Sequence, residues 1–173
     1  MEDDQWQKIV DARHEGWSAL RNRQDDSWPA WVAKLDVEVR TWLSGESVDY
    51  AVFDYAGGDD DWAENALEAT SLTATILSTR FVARATLTKP ENSPSASRSR
   101  LDVVARSAIT SLRMALQSPQ PQFGPAFVTL VEFEGLSGVL QIPADAMEWY
   151  TVSASDRTRI FASLRDDLLL KRD

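Results

Sequence analysis

The sequence contains no cysteine and a single histidine, His14. The first absence excludes disulfides, thiolate nucleophiles and cysteine-based zinc or iron–sulfur sites, and it fits a reducing compartment. The second removes histidine pairs as metal ligands. Any Ser-His-Asp triad would have to use His14, which lies between Arg13 and Glu15 on a helical stretch and reads as solvated. No apolar run approaches the ~18 residues a membrane span needs. The start, Met1-Glu2-Asp3-Asp4, is acidic where a signal peptide is basic and then apolar, so the expected location is cytoplasmic. Basic residues are also scarce: 18 Lys and Arg against 27 Asp and Glu leave a net charge of −9. Such a chain lacks the field that phosphate-backbone binding requires, so nucleic acid is not an expected partner.

What is present is the composition of a globular protein, 173 residues with 43% hydrophobic and 26% charged side chains, long enough to bury a real core. The charge is uneven. Residues 1–62 hold 15 acidic and 6 basic side chains, whereas residues 63–173 hold 12 of each. Between 78 and 115 lie Arg80, Arg84, Lys89, Arg98, Arg100, Arg106 and Arg113 against Glu91 and Asp102 only, which leaves room for a small anionic ligand. Arginine outnumbers lysine 14 to 4, as in proteins from GC-rich bacterial genomes.

The hydrophobic period changes along the chain. Trp6, Val10, Arg13, Trp17 and Leu20 recur at spacings of three and four, which predicts a helix over 3–24. A second helix is predicted from Ser27, a plausible N-cap, through Trp28, Trp31, Val32, Leu35, Val39 and Trp42 to Gly45. From residue 48 the period becomes two. Val48, Tyr50, Val52 and Asp54 alternate with Asp49, Ala51, Phe53 and Tyr55, giving a strand that stops at Gly57-Gly58-Asp59-Asp60-Asp61. Further strands are predicted at 66–77, 80–88, 100–106, 109–116, 127–133 and 138–142; residues 108–116 also fit about two turns of helix. The segments 89–97 and 118–122, rich in Pro with Ser or Gln, read as loops. Ser155 is the expected cap of a last helix with Ile160, Phe161, Leu164 and Leu168 on its apolar stripe, and Lys171 and Arg172 complement its C-terminus.

Leu77-Ser78-Thr79-Arg80-Phe81-Val82 is similar to the Leu-Thr-x-x-Arg-aromatic hairpin of bacterial pleckstrin-homology-like domains. Leu101-Asp102-Val103-Val104 with Ala108-Ile109-Thr110-Ser111-Leu112 is similar to that family's strand with an Ile-Thr-Ser segment. Val128 to Phe133, Gly138 to Pro143 and Phe161-Ala162-Ser163-Leu164 resemble its closing hairpin and helix, so the resemblance covers roughly 48–170. It implies an α+β fold: a PH-like antiparallel, partly open β-barrel with a C-terminal capping helix over 47–173, here preceded by an N-terminal helical hairpin over 1–46. It also implies a binding role. The carboxylates Asp59, Asp60 and Asp61 stand where lipid-binding members are basic, so no phosphoinositide site is carried over.

No residue pattern supports catalysis, and the expectation is a non-catalytic module without cofactor or metal. Asp59, Asp60, Asp61 and Glu64 lack the alternating order of a calcium loop. Gly57-Gly58 lacks the Lys-Ser or Lys-Thr of a phosphate loop. Glu132 with Glu134 reads as the wet side of a strand, and Asp166 with Asp167 as the outer face of a helix. Candidate binding residues are Arg80 and Arg84, four apart on one strand face, and Arg98 with Arg100. Either pair suits an anion or an acidic peptide, or it pairs internally with the acidic helices. The other candidates are tryptophans. One seam between two helices cannot bury Trp6, Trp17, Trp28, Trp31 and Trp42, so their rings meet the sheet, a partner or another copy. The expected function is recognition of a protein or peptide partner, or self-association, through an open strand edge or the aromatic hairpin. The alternative is a small anionic ligand or lipid headgroup held by the Arg80/Arg84 face.

Overall fold

A computed structural model of the chain describes residues 3–16, 30–56, 71–88, 98–116, 127–143 and 152–170. The described elements are α1 (Asp3–Gly16), α2 (Ala30–Trp42), β1 (Val48–Ala56), β2 (Ser71–Ser78), β3 (Phe81–Thr88), β4 (Arg98–Ala105), a 3-10 turn (Arg106–Ala108), β5 (Ile109–Leu116), β6 (Phe127–Phe133), β7 (Leu140–Ile142) and α3 (Ala154–Leu170). The α+β class and the antiparallel strands agree with the sequence reading. The described strands form two sheets, ordered β1-β2-β3-β4 and β5-β6-β7, and do not close into a barrel. The chain divides into two compact units, residues 1–102 and 103–173; the 46/47 boundary read from the sequence falls inside the first. The expected loops at 57–61, 89–97 and 118–122, Trp17, Trp28, Lys171 and Arg172 lie outside the described residues.

In the first unit both helices join the sheet in one core. Ile9 of α1 and Leu35, Val39 and Leu43 of the α2 region pack with Val48, Phe53, Leu72, Ala74, Ile76, Ala85 and Leu87, and Trp6 and Trp42 lie half-buried against that cluster. Two of the five hairpin tryptophans thus dock on their own chain. Helix α2 stops where Gly45 takes a left-handed conformation (φ +80°), which a Cβ would disfavour.

Strict alternation along β1 puts Val48 with Tyr50 and Val52, but a bulge alters that. Val48 opposes Ser78 and Tyr50 opposes Leu77, so Asp49 is an extra residue. Val48 therefore joins Ala51 and Phe53 on the helix-covered face. At the bulge α1 supplies the missing partners: Gln5 Oε1 accepts the Val48 amide (2.8 Å), and Lys8 Nζ donates to the Val48 carbonyl (3.0 Å). A buried backbone group left unpaired there would be costly.

In the second unit α3 lies against its sheet through Ile160 and Leu164, both buried, and Phe161 meets Phe127 edge-on at 6.2 Å. Ser153, not Ser155, caps this helix. Ser153 Oγ accepts the Asp156 amide (3.1 Å), and the same hydroxyl bonds to Asp156 Oδ2 (2.6 Å), a box that closes the first turn. Residues 109–116 are strand rather than helix because each from Ser111 to Leu116 finds a partner on β6.

Candidate functional site

Four strands end a sheet, and they are protected unequally. At the start of β1, Gln5 and Lys8 occupy the Val48 backbone groups. Beside β4, Ser99 Oγ donates to Glu38 Oε1 of α2 (2.8 Å). Strand β7 has only three residues. Strand β5 has eight, pairs with β6, and is bonded to no other strand among the described residues. Edge strands normally carry lysine, proline or a covering element, because their outer N–H and C=O groups template further pairing. Beyond a bulge at Thr110, the regular edge Ser111 to Leu116 contains neither lysine nor proline, and its one charge, Arg113, is matched by Glu132 on β6 (2.8 Å).

The apolar side chains of β5 share a face. Leu112, Met114 and Leu116 stand opposite Val131, Thr129 and Phe127, all buried. The stripe thus continues the covered face of the sheet, but cover runs out along it: Met114 is 46% exposed and Leu116 79%. Complete burial of either side chain is worth about 1.5–3 kcal/mol. Among the described residues, an edge bonded to no second strand and an uncovered apolar stripe thus coincide on β5.

The arginine candidates are placed differently. Arg80 lies in the two-residue turn between β2 and β3, not in the strand, and its Nε donates to Glu46 Oε1 at 2.8 Å. Its Nη2 makes a further short ion pair with the same oxygen. Glu46 also accepts from Ser78 Oγ (3.1 Å) and Thr79 Oγ1 (3.4 Å). The bond to Arg80 holds the Glu46 carboxyl below the usual carboxylate range, against the opposing push of burial, and raises Arg80 in turn. Arg80 also lies over the Phe81 ring (5.5 Å), and Phe81 meets Trp42 edge-on at 5.1 Å.

Arg84 is half-buried on β3 in register with Thr75, and its Nε donates to Thr75 Oγ1 (3.4 Å). Arg100 is exposed beside Asp102 (2.9 Å). Arg98 starts β4 and Trp31 lies in α2, but the side chains of both are outside the described set, as is that of His14. The Arg40 guanidinium lies 4.1 Å from the Trp6 ring centroid, so that tryptophan serves the contact between the two helices.

Sequence reasoning missed the interior role of Arg106. It is 2% exposed, bonds to Asp167 Oδ2 through Nε (2.8 Å) and to Ser163 Oγ through Nη2 (2.6 Å), and fixes α3 to the 3-10 turn. Asp167 is accordingly not on the outer face of the helix, whereas Asp166 is exposed and pairs with Arg165. Glu132 is only half-exposed and paired with Arg113, while Glu134 lies beyond the strand in the turn. No described helix is long and apolar enough to cross a membrane. Compared with known proteins, the chain matches no family model, no curated protein and no solved structure.

Proposed function

We propose that the protein is a non-catalytic interaction module that recognises an extended segment of a protein partner by adding it to the edge of β5. The observation that carries this reading is the coincidence of exposed Met114 and Leu116 with the edge Ser111–Leu116 of β5, which among the described residues is bonded to no strand but β6. Main-chain bonds along such an edge supply affinity, and side chains on alternate positions supply selectivity. The wider resemblance to pleckstrin-homology-like domains draws support from the order of elements: four antiparallel strands, then three, then one helix.

The test is capture of host proteins from the native lysate by wild type, by Met114→Lys and by Val37→Lys. Val37 is 66% exposed on α2 and controls for a lysine placed on any exposed apolar position. Loss of a partner by Met114→Lys alone is expected. A partner retained by Met114→Lys at full yield would end the reading.

A small anionic ligand at Arg80 and Arg84 is the second reading. Its support is that the Arg80 side chain stays 69% exposed, so an anion can reach it. It must compete there with the buried Glu46 carboxylate, which ranks this reading below the first. Thermal stabilisation by phosphorylated metabolites or anionic headgroups would raise it, and indifference to all of them would remove it.

A further inference from the structure

We infer that the strand β5 accepts is the β5 of a second copy of this chain. This rests on the reading of β5 as an open edge and names the occupant. In a continuous antiparallel sheet built on a two-fold axis, residues directly opposite share a face, so the pairing must match positions of equal parity. Centring the axis on Arg113 would oppose two guanidinium groups, which like-charge repulsion disfavours. Centring it on Met114 opposes Met114 to its own copy, Leu112 to Leu116 and Arg113 to Ala115. In that register the apolar stripe meets itself, and no charge faces a like charge directly.

The exposure gradient fits this register. Leu112 is half-buried, Met114 is 46% exposed and Leu116 is 79% exposed, so the most uncovered residue of one copy falls opposite the least uncovered of the other. The unit that holds β5 adds little long-range repulsion of its own to the encounter. Of the net −9, residues 103–173 carry only −1, with 8 acidic and 7 basic side chains, so the unit that holds β5 is nearly neutral while the other carries the repulsive excess. The resulting six-stranded sheet buries the two β5 edges against each other and extends the face that β6 already buries.

The absence of cysteine makes the register directly testable in the full chain. Opposite residues in an antiparallel pair have Cβ atoms about 4.5–5.5 Å apart, close to disulfide reach. Met114→Cys, mildly oxidised, should therefore cross-link to its copy. Leu116→Cys places its two sulfurs four residues out of step, roughly 13 Å along the strands, and should not, although Leu116 is the more exposed of the two. Random collision predicts the reverse order.

Sedimentation of the wild type should give a dimer that Met114→Lys converts to monomer, with its circular dichroism unchanged. Equal or greater cross-linking by Leu116→Cys would overturn the Met114-centred pairing. A wild-type chain that sediments as a monomer up to about 100 µM would overturn self-pairing altogether. In that event, loss of host-partner capture by Met114→Lys would still leave β5 a strand acceptor for another protein, whereas unchanged capture would remove both readings.

Discussion

Glu46 and Arg80, 34 positions apart, form an ion pair in which the carboxylate side chain is 3% exposed and the guanidinium side chain 69%. The pair ties the segment after α2 to the β2–β3 turn, alongside the bond from the Thr79 amide to the Ser47 carbonyl (3.0 Å). Its asymmetry matters. Removing the exposed partner leaves a buried carboxylate with only two hydroxyl donors, whereas removing the buried one returns an arginine to water.

The pair predicts a pH dependence with a definite sign. Folding lowers the Glu46 pKa, so its stabilisation is complete above the ordinary carboxylate range and is lost as the pH falls through the folded value. Glu46→Gln should melt below wild type at about pH 7, and the gap should narrow only as the pH falls below the ordinary carboxylate range and through the lowered folded value, where both side chains become neutral. Thermal melts across that range check this. A gap independent of pH would show that the charge of Glu46 contributes nothing.

Asp166 and Asp167 are adjacent and chemically identical, yet they should respond very differently to truncation. Asp167→Ala deprives the buried Arg106 of an acceptor and should cost about 2–3 kcal/mol. Asp166→Ala removes an exposed pair and should change stability by under about 0.5 kcal/mol. Denaturant unfolding of both variants separates the two cases.

Thr129 is fully buried at the centre of β6, and its hydroxyl has no hydrogen-bond partner among the described residues. Thr129→Val keeps the shape, favours the strand and removes the orphaned group. It should stabilise the protein by about 1 kcal/mol in the same unfolding assay.

Gly135 turns the chain between β6 and β7 at φ +86°, and a Cβ there would come within 3.2 Å of Val104 Cγ1. Gly135→Ala meets both a disfavoured backbone and a crowded neighbour, and should destabilise by about 1–2 kcal/mol. The melting temperature reports it.

Elements with strong periodicity were legible in the sequence. Trp6 on α1 and Leu35, Val39 and Trp42 on α2 repeat at helical spacing and do lie towards one core, although the stripe read through Val10 misses Ile9, which is the residue α1 buries fully. The strands expected at 80–88, 127–133 and 138–142 likewise match β3, β6 and β7 to within two residues. What failed depended on partners distant in sequence. Nothing local marks Asp49 as a bulge residue, because the bulge is defined against Leu77 and Ser78. Arg106 looks like any surface arginine until α3 brings Ser163 and Asp167 to it. The α3 cap was legible in principle: Ser153 and Asp156 have the three-residue spacing of a capping box, which the neighbouring Ser155 obscured. For the candidate site, the sequence pointed to an open strand edge as a class but not to β5, since which strand ends a sheet is a property of topology.

Amide hydrogen exchange across residues 109–116 of the intact chain, followed from dilute to concentrated protein, tests the central claim most directly. If β5 is an open edge that pairs with its copy, its outward amides exchange quickly when dilute and become protected as concentration rises. Protection along the whole strand at a dilution where the chain sediments as a monomer would show the edge already covered within the chain, and would contradict both the recognition site and its self-pairing.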